Sequence, residues 1–169
     1  MNRKTFCLYA GFAISLEKYF ELTEMSNEDF DKMMCERFPE MFIERNKPMM
    51  ETCMCWGFSH DSGWNPILFD LCLKLDAVNK AFGANVIVNQ VKEKFGTLRF
   101  YFTPSAEKDL VTAPKTLWAI YDSLVSWSDR MSGLTCESCG DRGSLCSDGG
   151  WLKTLCKSCA DKLGYVSDS

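Results

Sequence analysis

Four of the ten cysteines in this 169-residue chain are spaced to do chemistry. Cys136-Glu-Ser-Cys139 is followed, after sixteen residues, by Cys156-Lys-Ser-Cys159. Two Cys-x-x-Cys pairs at this separation bring four thiolates to one tetrahedral ion, and the spacing points to a single structural Zn²⁺. Two disulfides or a redox pair are the alternatives. A catalytic zinc keeps one position open for water, whereas Cys136, Cys139, Cys156 and Cys159 fill the shell. Such a site folds a segment too small to build its own core. Gly140, Gly143, Gly149 and Gly150 supply turns between the pairs, and Cys159-Ala-Asp-Lys-Leu reads as the start of a helix. Knuckle, hairpin and ligand-bearing helix is the order of a treble clef, with a zinc ribbon as the close alternative.

A second constellation is cationic. Val86 to Phe102 alternates with period two around Phe95-Gly96, the pattern of a β-hairpin. A two-residue turn sets Lys94 against Thr97, Lys92 against Arg99 and Gln90 against Tyr101. Val91, Leu98, Phe100, Ile87 and Phe102, with Glu93, then share the opposite face. Lys92, Lys94 and Arg99 thereby meet on one side, beside Tyr101. Like charges facing each other across a ladder are unfavourable, so an anion is expected nearby: a carboxylate of the protein or a ligand. Arg99, whose fork can hold phosphate or carboxylate through two hydrogen bonds, is the expected main contributor.

A third group lies in the irregular stretch from Phe42 to Gly63. Trp56, Phe58, His60, Asp61 and Trp64 gather around Gly57 and Gly63. Trp56, His60 and Trp64 are candidates to wall a binding pocket beside the hairpin; plugging the core is the competing role. Cys53, Cys55, His60 and Cys72 are candidates for a second metal site, although their spacing is not a standard one and ordinary burial is the competing role. His60-Asp61 has no nucleophile placed for it by spacing.

The elements that must position these residues form an α+β main domain, residues 1–133, followed by a knuckle module, residues 134–169. A first amphipathic helix is expected over Thr5–Leu22, with Phe6, Tyr9, Ala13, Leu16 and Phe20 at helical spacing. Ser26 and Asp29 make a capping box for a second helix with an apolar stripe of Phe30, Met33, Met34 and Phe38, ended by Pro39. Asn65 as N-cap and Pro66 as N1 open a third, with Leu68, Leu71, Cys72, Leu75, Val78 and Phe82 as its stripe and Gly83 as its stop. Thr103-Pro104 ends the hairpin, and the 42–58 loop is a candidate third strand. Ala113 to Met131, with Pro114 at N1, is the last long helix of the main domain. A two-stranded ribbon needs such helices packed on one face.

Composition narrows the function classes. A hydrophobic fraction of 46% supports a real core. The formal net charge of −4 and pI near 5.1 leave no global positive field for nucleic acid. Residues 136–169 hold four basic and five acidic side chains, so the knuckle lacks the basic excess of a phosphate-binding module. Arg3 and Lys4 before the apolar run Phe6–Leu16 resemble a short signal peptide, but the helical spacing there favours an amphipathic helix. No run reaches the ~18 residues of a membrane span. Cysteines without regular spacing fit a reducing cytoplasm.

Trp56-Gly-Phe, Gly63-Trp64, Gln90-Val-Lys-Glu-Lys-Phe-Gly-Thr-Leu-Arg-Phe-Tyr101, Cys136-x-x-Cys-Gly and Gly150-Trp-Leu-Lys-Thr-Leu-Cys156 together carry a resemblance. Over residues 38–160 the chain resembles a family of small bacteriophage- and prophage-encoded proteins. The resemblance implies a bacterial host's cytoplasm, and a role in countering host defence. It carries no reaction and no catalytic residues. The expected function is a non-enzymatic binding protein that captures a host protein or a small anionic ligand. A nucleic-acid accessory protein is the alternative, and an enzyme the second alternative.

Overall fold

The computed structural model describes residues 11–105 and 115–167. Among these are five α-helices and two small antiparallel sheets. Helix α1 spans Leu16–Glu24, α2 Asn27–Arg37, α3 Asn65–Phe82, α4 Lys115–Ser132 and α5 Lys157–Leu163. Strands β1 (Asn85–Lys94) and β2 (Thr97–Ser105) form the hairpin; β3 (Ser144–Ser147), β4 (Leu152–Leu155) and β5 (Val166–Ser167) form the second sheet, in the order β4-β3-β5.

The first helix is shorter than its periodicity predicts. It begins at Leu16 because the Ser15 hydroxyl caps it, accepting from Lys18 N at 3.2 Å, and because Gly11 turns the chain at φ +73°. Thr5 to Ala10 lie outside the described residues. The helix buries Tyr19, Leu22 and Thr23 rather than Leu16 and Phe20. Ser26 caps α2 as read: Asp29 N donates to Ser26 Oγ at 3.1 Å, while the Asp29 carboxylate takes the Ser26 hydroxyl proton, Ser26 Oγ donating to Oδ2 at 2.7 Å.

Helix α3 is the axis of the core. Ile67, Leu68, Leu71, Cys72 and Leu75 are fully buried, each large apolar side chain stabilising by about 1.5–3 kcal/mol. Its start differs from the expectation. Asn65 is inside the helix, not its N-cap, and its buried amide donates instead to Leu22 O at 3.0 Å, tying α3 to α1. Phe82, expected on the buried stripe, is exposed in the last turn. Gly83 closes the helix in the left-handed conformation, φ +62°.

The hairpin register is the one the alternation predicts: Lys94 faces Thr97, Lys92 faces Arg99 and Gln90 faces Tyr101. Val91, Leu98 and Phe100 are buried. Beyond Gln90 a bulge at Asn89 shifts the pairing by one residue. Parity therefore inverts: Val86 and Val88 enter the core, and Ile87 moves to the other face. β2 does not stop at Thr103 but pairs Pro104 with Val86. The third strand expected in the 42–58 loop does not form; just beyond it a single parallel bridge joins Ser59 to Lys92. Ser59 O accepts from Glu93 N at 2.7 Å, and Met41 O accepts from Val88 N at 2.8 Å, so the outer edge of β1 is covered. Leu98 N, on the outer edge of β2, donates to Ser132 Oγ of α4 at 2.8 Å. Ala113 and Pro114 lie outside the described residues. A second, small apolar cluster of Cys136, Cys146, Leu155 and Ala160 underlies the C-terminal sheet. No described helix is long and apolar enough to cross a membrane.

Candidate metal centre and hairpin face

The four cysteines of the two Cys-x-x-Cys pairs converge. Their sulfurs lie within 4.8 Å of one another, and Cys139 Sγ is 3.7 Å from Cys156 Sγ. Sulfurs about 2.3 Å from a tetrahedral ion stand about 3.8 Å apart, so the set fits a metal ion. The first pair sits on a tight turn in which Gly140 N donates to Cys136 O at 2.9 Å. Cys156 caps α5 and Cys159 lies in its first turn, where Ala160 N returns to Cys156 O. Cys136 is fully buried and its partners are half-buried. A hydrogen bond from the Cys139 thiol, helped by the backbone amides of Cys156, Cys139 and Ser138, outweighs burial and brings the Cys136 thiol down to about 5. Among the described residues no other group of three or more His, Cys, Asp or Glu is gathered to hold a metal. Cys72 and His60 are buried in the main core while Cys53 is exposed, so they make no second site.

The centre is stitched to the helical body by groups that spacing alone does not reveal. Gly63 N donates to Glu137 O at 2.7 Å, Trp64 Nε1 to Thr135 O at 2.7 Å and Tyr19 Oη to Gly140 O at 2.7 Å. Gly63 has no room for a side chain. A Cβ there would lie 2.2 Å from Cys136 O and 2.4 Å from Glu137 O, both backbone atoms. This close approach is why glycine precedes Trp64. Lys153 bridges Asp61, at 3.0 Å, and Glu137, at 3.3 Å. Burial pushes the Glu137 carboxyl up to about 7, against the pull of Lys153.

His60 and Trp64 do not wall a surface. Trp64 is fully buried, and His60 packs among Phe30, Phe58 and Trp64 with Nδ1 3.0 Å from Asp61 O and Nε2 without a partner. Burial holds the imidazole below its usual pKa. Both side chains serve the core, and the Trp64 indole N–H is satisfied there by Thr135 O. Trp56 is the member of that loop that faces water, 70% exposed.

The hairpin's polar face is assembled as predicted, with one change. Arg99 is engaged within the chain: Nη1 donates to Asp129 Oδ2 on α4 at 2.8 Å, one-third exposed. Asp129 is 30 residues away in sequence, and no local pattern announces it. Lys92 and Lys94 have no carboxylate within salt-bridge distance among the described residues. Lys92 Nζ stands 5.5 Å from the Tyr101 ring centroid and Lys94 Nζ 5.1 Å from that of Phe95.

Compared with protein-family models, with curated proteins and with solved structures, the chain matches none.

Proposed function

We propose that this is a non-enzymatic binding protein in which one zinc, held by Cys136, Cys139, Cys156 and Cys159 in a treble-clef arrangement, clamps a hairpin whose outer face captures an anionic partner. What carries the reading is the pair Lys92 and Lys94. They stand two residues apart on one face of a braced strand, without a carboxylate partner among the described residues, in a chain of net charge −4. Two ammonium groups left unpaired on an acidic protein favour a discrete anionic contact over general stickiness. The brace matters because fixed spacing is what turns charge into selectivity. Tyr101 adds exposed aromatic surface beside Lys92, and exposed Trp56 lies in the Met54–Trp56 turn that contacts β1. The partner is a host protein with an acidic surface or a small anionic ligand, and the phage resemblance sets the encounter in the cytoplasm of a bacterial host and makes host defence the process acted on. Neither four-thiolate closure nor the hairpin face calls for a reaction.

The test is a chemical-shift titration of the isotopically labelled, zinc-loaded chain with inorganic pyrophosphate, a polyglutamate peptide and a single-stranded oligonucleotide. Saturable shifts confined to residues 90–101 with pyrophosphate or polyglutamate, lost in Lys92→Glu/Lys94→Glu, are the expected result. Preference for the oligonucleotide would transfer the face to nucleic acid, and no saturable shift with any probe would end the proposal.

A further inference from the structure

The tip of the hairpin is strained. Phe95 and Gly96 lie at φ +56° and +77°, the two left-handed positions of a type I′ turn, where Asn-Gly is the favoured pair. Phe95 is the one non-glycine residue at positive φ among the described residues, a conformation that is costly for a bulky L side chain. The ring gains little from its own fold in return: it is 66% exposed, with Lys94 Nζ above it. Nor is the tip free to relax. Gly96 N donates to Glu93 Oε1 at 2.7 Å, Gly96 O accepts from Thr154 Oγ1 at 2.6 Å, and Leu145 fills the space that a Cβ at Gly96 would need. A strained aromatic held outward by its own scaffold is suited to work outside its own chain.

The protein carries a surface complementary to this tip. Met49 and Met50 line a cleft of about 340 Å³ with Glu44, Glu51 and Asn89. Methionine usually sits inside, yet these two are 63% and 90% exposed. Flexible thioethers adapt to an inserted aromatic ring and make favourable sulfur–ring contacts. The acids complete the match. Glu44 already faces Lys47, at 3.1 Å, while Glu51 has no ion-pair partner among the described residues. Asn89 and Phe95 are six strand residues apart, so cleft and tip lie about 20 Å from each other at about 3.3 Å per residue, too far to meet within one chain.

We propose that the tip of one chain seats Phe95 between Met49 and Met50 of a second copy, with Lys94 facing Glu51. Tip and cleft are different surfaces, so the contact is head-to-tail and each copy keeps one of each for another neighbour. The interface is small, and the association is correspondingly weak and sensitive to salt. This does not rest on the anionic-partner reading.

Sedimentation velocity of the zinc-loaded full chain, from about 10 µM to about 1 mM, tests it in the range where small interfaces associate. The wild type is expected to sediment faster as concentration rises, and less so at high salt. Phe95→Asn and Met50→Glu are each expected to stay monomeric alone. Their equimolar mixture forms dimers and nothing larger, because one good tip meets one good cleft. Phe95→Asn relieves the turn, so a raised melting temperature shows that lost association is not lost folding. A wild type that stays monomeric at the top concentration overturns the proposal. So does unchanged self-association of either variant alone, or a mixture that stays monomeric while the wild type associates.

Discussion

Trp64 Nε1 donates to Thr135 O across 71 positions of sequence, at 2.7 Å, and this bond joins the N-cap of the central helix to the chain entering the candidate metal centre. With Gly63 N on Glu137 O and Tyr19 Oη on Gly140 O, it makes the cysteine module a part of the body rather than an appendage. Removing one feature should therefore be felt in the other.

Metal analysis of the purified chain should return one zinc per molecule, and Cys136→Ser should return none. Chelation, or that substitution, is expected to leave most of the α-helical circular dichroism while shifting tryptophan emission to the red as Trp64 loses its cover. Metal binding supplies the folding energy of such small modules. An unchanged emission spectrum after complete metal loss would contradict the coupling.

Gly63→Ala should be among the most damaging single substitutions in the chain. The added Cβ would meet three backbone atoms, Cys136 O, Glu137 O and Gly140 N, at 2.2, 2.4 and 2.5 Å. None of these can rotate away, so a loss above about 3 kcal/mol is expected from overpacking together with the broken bond to Glu137 O. Denaturant unfolding measures it. Gly149→Ala, with nothing within 4 Å but φ at +95°, should cost no more than about 1–2 kcal/mol and serves as the control.

His60 should make the fold weaker in mild acid. Its pKa in the folded chain lies below the ordinary 6.5 because burial penalises the imidazolium. As pH falls through 6.5 the unfolded chain takes up a proton that the folded chain refuses. Stability therefore drops until the lower folded-state pKa is passed. His60→Phe, in a pocket already formed by Phe30, Phe58 and Trp64, is expected to flatten that part of the profile. Glu137 pulls the other way over the same range, its carboxyl raised by burial to about 7, so the comparison to make is wild type against variant, each titrated from pH 7.5 to 5. Parallel profiles would show that His60 does not titrate the fold.

Arg99→Ala separates the structural role of the guanidinium from a binding role. The pair with Asp129 is about one-third exposed on each side, and such pairs contribute about 0–1 kcal/mol. Near-normal stability with weakened pyrophosphate or polyglutamate shifts would count Arg99 into the binding face. Intact shifts would leave that face to Lys92 and Lys94 alone.

Much of this molecule is local, and the local part is readable in the sequence. Two Cys-x-x-Cys pairs determine four converging sulfurs because each knuckle is a short turn closed by its own hydrogen bonds. Alternation around Phe95-Gly96 determines which residues face which, since a two-residue turn allows one register. Ser26 with Asp29 and the stop at Gly83 follow from the unsatisfied ends of helices. Only the tertiary structure decides the rest. The bulge at Asn89 inverts the parity of Ile87, a change set by what the core accepts and not by the strand's own pattern. His60 and Trp64, grouped with Trp56 by sequence, are divided from it by burial. Arg99 finds Asp129, and Gly63 meets the backbone of Cys136, through contacts 30 and 73 residues long, and packing at that range depends on where whole elements settle.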